Sequence, residues 1–270
     1  MKIQIFSTTI KYYSILNKLP DFIKPIGLGD DIFPSNWLNE NEGDNIKHLN
    51  KYYGELTGFY WVWKNLLKDF GENDFVGFCH YRKLWLNNLD HKKKFSYKSI
   101  YNILLKENNR IFLELDVIQV QPIIFKNRNL LEDFAIIHGN NILDNSLEFL
   151  EKNLRIDFNN YLKKNTLYPL NMFIVKKKLF DEYCSIIFPW LEKCFKLCLK
   201  NDLLKGYNLR LPAFLAERFT SYWFSRFNEK RICLSYARLG NFFLSNKINN
   251  FINPLKIPFT SKIYPTIHKY

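Results

Sequence analysis

A chain of 270 residues that is 47% hydrophobic, 17% aromatic and 24% charged can bury one sizeable core, and such a balance excludes a disordered polymer. Its net charge of +13 leaves nucleic acid, an anionic membrane surface or a phosphate-bearing small substrate as partners, and nucleic acid ranks last because the basic residues are spread along the chain and form no nucleic-acid motif. Five cysteines (Cys79, Cys184, Cys194, Cys198 and Cys233) are odd in number and lack the spacing of a disulfide framework; Cys194 and Cys198 lie one helical turn apart with no second pair to complete a zinc site, which fits a reducing cytosol.

Taken in order, residues 2–7 alternate apolar and polar and predict a first strand rather than a leader peptide. Pro20, Pro25, Gly27, Gly29 and Pro34 punctuate residues 8–45, which read as loops and turns. From 51 to 67 the spacing becomes helical: Tyr52, Leu56, Phe59, Tyr60, Trp63 and Leu67 form one apolar stripe. A Gly71–Asp74 turn then leads into an apolar strand over 75–79. The basic run Lys92-Lys93-Lys94 reads as a loop, and residues 96–109 as helical. One or two strands are expected over 111–120, with Glu114 and Asp116 inside, and a short strand over 122–125. Helices are expected over 130–138 and 143–161, a strand over 171–175, a long helix over 179–199 interrupted or kinked near Pro189, and a helix over 213–227 started by Pro212. The tail, 241–270, is basic, aromatic and aperiodic, with Pro254, Pro258 and Pro265, and reads as an extended arm. No run approaches the roughly 18 apolar residues that a membrane helix needs. Strands separated by helices predict an α/β domain with a mainly parallel sheet over 1–240.

Several groups could carry chemistry. The strand over 75–79 stays apolar through Cys79 and then offers His80, Tyr81, Arg82 and Lys83, an imidazole, a phenol and two cations where an open α/β sheet binds ligands. Arg grips phosphate with a planar fork and Lys adds a point charge, although a plain basic loop has the same composition. Asp44 and Asn45 follow Gly43 in what is either a capped turn or a donor contact. Glu55 lies on the aromatic helix as a solvated group or a pocket carboxylate. Glu217, followed by Arg218 near the start of the late helix, is the candidate general base, which needs a carboxylate within reach of an acceptor hydroxyl.

Together, Gly43-Asp44-Asn45-Ile46, Asn50-Lys51-Tyr52-Tyr53-Gly54-Glu55-Leu56-Thr57, Trp61-Val62-Trp63-Lys64-Asn65 and Val76-Gly77-Phe78-Cys79-His80-Tyr81-Arg82 resemble the motifs of bacterial glycosyltransferases of capsular polysaccharide and O-antigen synthesis. Tyr168 to Ile174, Phe180 to Cys184 and Phe214 to Phe219 extend the resemblance to about residue 225. The chain departs from that pattern at Gly54, where the family usually shows Cys, at Lys83, where it shows Arg, and at Ser7-Thr8-Thr9, where a His-Lys pair is usual.

The resemblance implies a GT-A-like fold with a Rossmann-like half. It also implies transfer of a hexosyl unit, galactosyl or galactofuranosyl, from a nucleotide sugar, with UDP as the expected nucleotide. The acceptor would be a lipid-linked or other oligosaccharide at the inner face of the cytoplasmic membrane, reached by peripheral contact with anionic lipid. On this reading Asp44, Asn45, His80, Tyr81, Arg82 and Lys83 bind the donor diphosphate, Glu217 acts as base with inversion, and Glu55, Asn171, Met172 and Arg218 complete the pocket. No clean Asp-x-Asp motif for Mn²⁺ or Mg²⁺ is present; Glu114-Leu115-Asp116 is the nearest match. The rival reading is a non-catalytic protein that binds nucleotide sugars or carbohydrate.

Overall fold

The computed structural model describes residues 1–87 and 100–239, together with the backbone of Lys262–Ile263. The strands are β1 Ile3–Thr9, β2 Ile23–Gly27, β3 Leu38–Asn39, β4 Phe75–His80, β5 Lys83–Trp85, β6 Val117–Val120, β7 Ile123–Ile124, β8 Thr166–Leu167, β9 Phe173–Lys176, β10 Arg231–Leu234, β11 Tyr236–Arg238 and β12 Lys262–Ile263. The helices are α1 Asn50–Tyr53, α2 Leu56–Asn65, α3 Ile100–Ile103, α4 Ile111–Glu114, α5 Leu130–His138, α6 Ile142–Leu147, α7 Lys152–Leu162, α8 Lys177–Lys200 and α9 Leu211–Ser225. The central sheet runs β10-β6-β9-β4-β1-β2-β3. Its β10–β6, β4–β1, β1–β2 and β2–β3 pairs are parallel, and β9 is antiparallel to both neighbours. This is the expected α/β fold, a mostly parallel sheet flanked by helices.

Alternation along the central strands divides the core in two. Val76, Phe78, Phe173 and Val175 face one apolar layer, built largely from α2, α5, α7, α8 and α9. Phe75, Cys79, Ile118 and Ile174 face a second layer, with Trp85, Phe112 and Leu16. Period 2 puts His80 on the same face as Val76 and Phe78, toward the helical layer. The strand order reverses at β1: β2 and β3 extend one way, and β4 lies on the other side. Such a switch point opens a crevice outside the carboxyl ends of the strands, here between β1 and β4.

Several expectations need correction. Residues 8–45 contain β2 and β3; Pro25 sits in β2 opposite Ser7, and β3 pairs only with Ile26 and Gly27, so Pro25 occupies an edge position where its missing N–H is tolerated. The single helix over 51–67 is two, split at Gly54, whose φ of +56° breaks the winding. Residues 111–114 are helical and only Val117–Val120 is strand, since a short apolar run does not by its period distinguish the two. The helix over 143–161 is likewise divided into α6 and α7. α8 runs uninterrupted through Pro189. The helix expected over 96–109 is seen only as α3, since Leu104 leaves the helix to bridge Leu86 and residues 105–109 are irregular. Residues 96–99, the Lys92-Lys93-Lys94 loop and the 241–270 arm, apart from β12, lie outside the described residues.

Candidate functional site

A cavity of about 440 Å³ opens at the β1–β4 switch point, within the size range of small-ligand sites. Its floor is the carboxyl end of the sheet. Thr8 and His80 are register partners on β1 and β4, and Tyr81, Arg82 and Lys83 continue from β4 into β5. Its walls come from the α1–α2 break, the segment before β9 and the start of α9.

The break between α1 and α2 delivers Glu55. Asn50 donates to the Gly54 carbonyl (3.1 Å) and to Thr57 Oγ1 (2.9 Å), fixing the turn, and Glu55 emerges at the head of α2. Glu55 Oε1 accepts from Asn171 Nδ2 (2.9 Å) and Oε2 from Arg210 Nη2 (3.0 Å). Burial pushes the Glu55 carboxyl up, but the Arg210 guanidinium and the Asn171 amide outweigh it, and the group sits below the ordinary value. It is an anion held among cations.

The segment Leu170–Asn171 is left-handed at both residues, with φ of +79° and +49°, an uncommon backbone for side chains of this kind. Three residues named from sequence hold it. Glu217 Oε1 accepts from the Leu170 N–H (2.6 Å), His80 Nε2 lies 2.7 Å from the Leu170 carbonyl, and Glu55 takes the Asn171 amide. A carbonyl only accepts, so His80 carries its proton on Nε2. Burial, with Lys83 and Arg210 nearby, lowers the His80 pKa despite Glu55, which leaves the imidazole neutral at pH 7.

The cations gather opposite. Burial lowers Lys83 to about 8, with Arg82 adding to the shift and Glu55 and Glu217 opposing it. Among the described residues neither Arg82 nor Lys83 has a carboxylate in salt-bridge contact, so both present charge to the cavity. Tyr81 is stacked on Tyr13, with centroids 4.8 Å apart and planes 5° apart. Glu217 is 21% exposed, and its Oε2 lies 3.3 Å from Arg218 Nη1. Arg218 is buried and binds Asp133 on α5 (2.7 Å), which Arg128 also grips (2.8 Å). This network fixes where the Glu217 carboxylate points.

The cavity therefore brings together His80, Tyr81, Arg82, Lys83, Glu55, Asn171 and Glu217. It does not include Asp44 and Asn45. The Asp44 N–H donates to Asn65 Oδ1 (3.0 Å), its Oδ1 accepts from Tyr60 (3.1 Å), and Asn45 closes onto the Gly43 carbonyl (3.0 Å), so these residues shape an exposed turn against α2. Met172 is buried in the opposite apolar layer, and Arg218 stands behind Glu217 rather than on the cavity wall. Arg210 is the wall residue that sequence reading missed. It ends a 3-10 turn, Gly206–Arg210, 155 positions from its partner Glu55, and carries no local motif. The one hint is Gly54: a Cβ there would lie 2.2 Å from Arg210 Nη2, so the glycine that breaks the helix also admits the guanidinium.

Asp116, half of the nearest Asp-x-Asp match, precedes β6, which runs parallel to β4 because β9 is antiparallel to both. It thus lies at the opposite end of the sheet from His80, paired with Lys176 at 2.6 Å. Glu114 ends α4 and is exposed. Among the described residues no three His, Cys, Asp or Glu side chains gather as a metal site. The two carboxylates on the cavity wall are already engaged, Glu55 by Arg210 and Asn171 and Glu217 by the Leu170 N–H.

Residues 4–229 match the family described as a domain of unknown function (DUF4422), and the chain belongs to that family. No curated protein matches it. Among solved structures it is similar to the apo structure of WbbM, a bifunctional glycosyltransferase, with a TM-score of 0.70, 22% identity, and coverage of 89% of this chain and 46% of the other. The chain spans about half the length of that protein, and the likeness is one of fold. Among the described residues no helix is long and apolar enough to cross a membrane.

Proposed function

We propose that this DUF4422 member is a glycosyltransferase of bacterial surface-polysaccharide synthesis, with a GT-A-like domain over 1–240 and a basic arm over 241–270. It transfers a hexosyl unit, galactosyl or galactofuranosyl, from a UDP-sugar to an oligosaccharide acceptor. The observation that carries this reading is the cavity at the switch point, where Arg82, Lys83 and Arg210 converge with Glu55 and Glu217. The likeness of fold to a glycosyltransferase supports it.

Arg82 and Lys83, with His80 nearby, hold the donor diphosphate and neutralise the charge that grows as the anomeric C–O bond breaks. Preorganised cations in a partly dry cleft do this without reorganising at the moment of reaction. Glu217, fixed by the Leu170 N–H and by Arg218, takes the proton of the acceptor hydroxyl as that oxygen attacks the anomeric carbon. UDP leaves with the electron pair of the broken bond, and the configuration inverts. The acceptor is lipid-linked and the enzyme works at the cytoplasmic membrane face, where the net charge of +13 favours anionic lipid.

The test is a donor screen by nucleotide release, with and without acceptor. A UDP-hexose hydrolysed slowly alone and faster with an oligosaccharide is the expected result. Binding of UDP-sugars with no release under any condition refutes transfer and leaves a binding protein.

A further inference from the structure

Three aromatic rings lead from the cavity to the surface. Phe214 lines the cavity from the first turns of α9, one helical turn from Glu217 and on the same face. Its centroid lies 4.5 Å from the buried His138 ring and 5.0 Å from Tyr207, with the Tyr207 planes 23° apart. Tyr207 is also parallel to His138 within 9°, at 5.7 Å. Yet Tyr207 is 69% exposed. A surface tyrosine ordinarily gains nothing from being held still. Here the next residue clamps the turn: Asn208 Nδ2 donates to the His138 carbonyl (3.1 Å), so its Oδ1 is left to accept from His138 Nδ1 (2.8 Å). Two residues further on, Arg210 returns to the cavity wall. Leu209 and Ile137 are exposed beside it.

The result is an apolar ring face held outside the cavity lining and stacked on Phe214, which lines the cavity one helical turn from the proposed base. An aromatic ring presents a broad polarisable face to the C–H side of a sugar, and a ring already held in place loses little freedom on binding. We infer that Tyr207 is the stacking platform of an acceptor subsite, taking a hexose ring of the growing glycan and guiding its hydroxyl toward Glu217. The inference rests on the transferase reading for its direction, and on the aromatic stack for its place.

The experiment uses the full chain and methyl hexosides, in pyranose and furanose forms, with their disaccharides as probes. Saturation-transfer NMR reads sugar binding, calorimetry reads UDP binding, and thermal melts check the fold. Tyr207→Ala is expected to weaken hexoside binding by roughly ten-fold, the scale of one lost aromatic stack, while leaving UDP binding and the melt unchanged. Tyr207→Phe and Tyr207→Trp should bind as wild type does, because the ring and not the hydroxyl is the contact. Wild-type protein that binds no hexoside at millimolar concentration, or Tyr207→Ala binding as well as wild type, overturns the subsite. So does a Tyr207→Ala variant that keeps the sugars but releases phosphatidylglycerol vesicles, since the ring then faces a membrane. If hexosides bind through Tyr207 but UDP and UDP-sugars do not bind at all, the transferase reading falls and the sugar platform stands.

Discussion

The two ends of the central sheet use their charges differently. At the amino end of β4 and β6, opposite signs meet directly, Lys176 with Asp116 at 2.6 Å and Lys177 with Glu72 at 2.6 Å, and the Asp74 carboxylate accepts from the Lys2 backbone N–H at 2.7 Å. The backbone there is ordinary. At the carboxyl end, Lys51, Arg82 and Lys83 line a cavity with no carboxylate in salt-bridge contact among the described residues, the anion Glu55 is buried, His80 is driven neutral, and two consecutive residues are left-handed. Neutral pairing closes a surface, whereas charge held apart in a cleft leaves work for a ligand to do. Strained backbone persists only where its surroundings hold it, as Glu217, His80 and Glu55 do here.

The largest effect that can break this contrast is on turnover. Glu217→Gln should lower it by about 10²–10⁴, the scale of a lost general base. Nucleotide release with acceptor present reads this, and near-wild-type turnover removes Glu217 from the chemistry. Arg82→Ala should weaken UDP by roughly 10- to 100-fold, as befits a charge-assisted hydrogen bond. Unaltered affinity by calorimetry would mean that the diphosphate lies elsewhere.

A smaller effect is expected from pH. With a pKa of about 8, Lys83 is cationic below that pH and neutral above it. If it grips phosphate, UDP affinity falls a few-fold as pH rises from about 7 to 9, and Lys83→Arg, which stays charged, flattens the curve. A flat wild-type curve would exclude Lys83 from the contact. EDTA should leave activity largely intact if fixed cations do the electrostatic work, and a complete loss restored by Mn²⁺ would sink that mechanism. The smallest effect belongs to the far end: Lys177→Ala, which frees the exposed Glu72 carboxylate, should cost no more than about 1 kcal/mol of stability in a denaturant melt and leave turnover unchanged. A large loss of turnover there would erase the distinction between the two ends.

Much of this contrast was legible in the sequence. The strand that stays apolar to Cys79 and then turns polar marks the carboxyl end of β4, and period 2 puts His80 toward the helices. α5 occupies its expected bounds, 130–138, and an Asn129–Glu132 capping box and Gly139 punctuate it there. What escaped depended on contacts between distant segments. Arg210 belongs to the site only because the 3-10 turn before α9 brings it to Glu55. Pro169 announces a turn just before the left-handed Leu170–Asn171 segment, but with no glycine in it nothing announces the handedness. β2 was hidden because Pro25 signals a loop wherever the edge of a sheet is not yet known. Asp44 and Asn45, for which sequence leaves a capped turn and a donor contact both open, are bonded within the chain as a turn and lie outside the cavity lining.

Gly54 has a consequence for ancestry. Its missing side chain admits the Arg210 guanidinium, and its positive φ suits no other residue as well. A relative with a bulkier residue at this position has to lodge its arginine elsewhere or do without one. Positions 54 and 210 are therefore expected to change together across lineages, and an arginine kept at 210 regardless of what occupies 54 would show that the two have evolved independently.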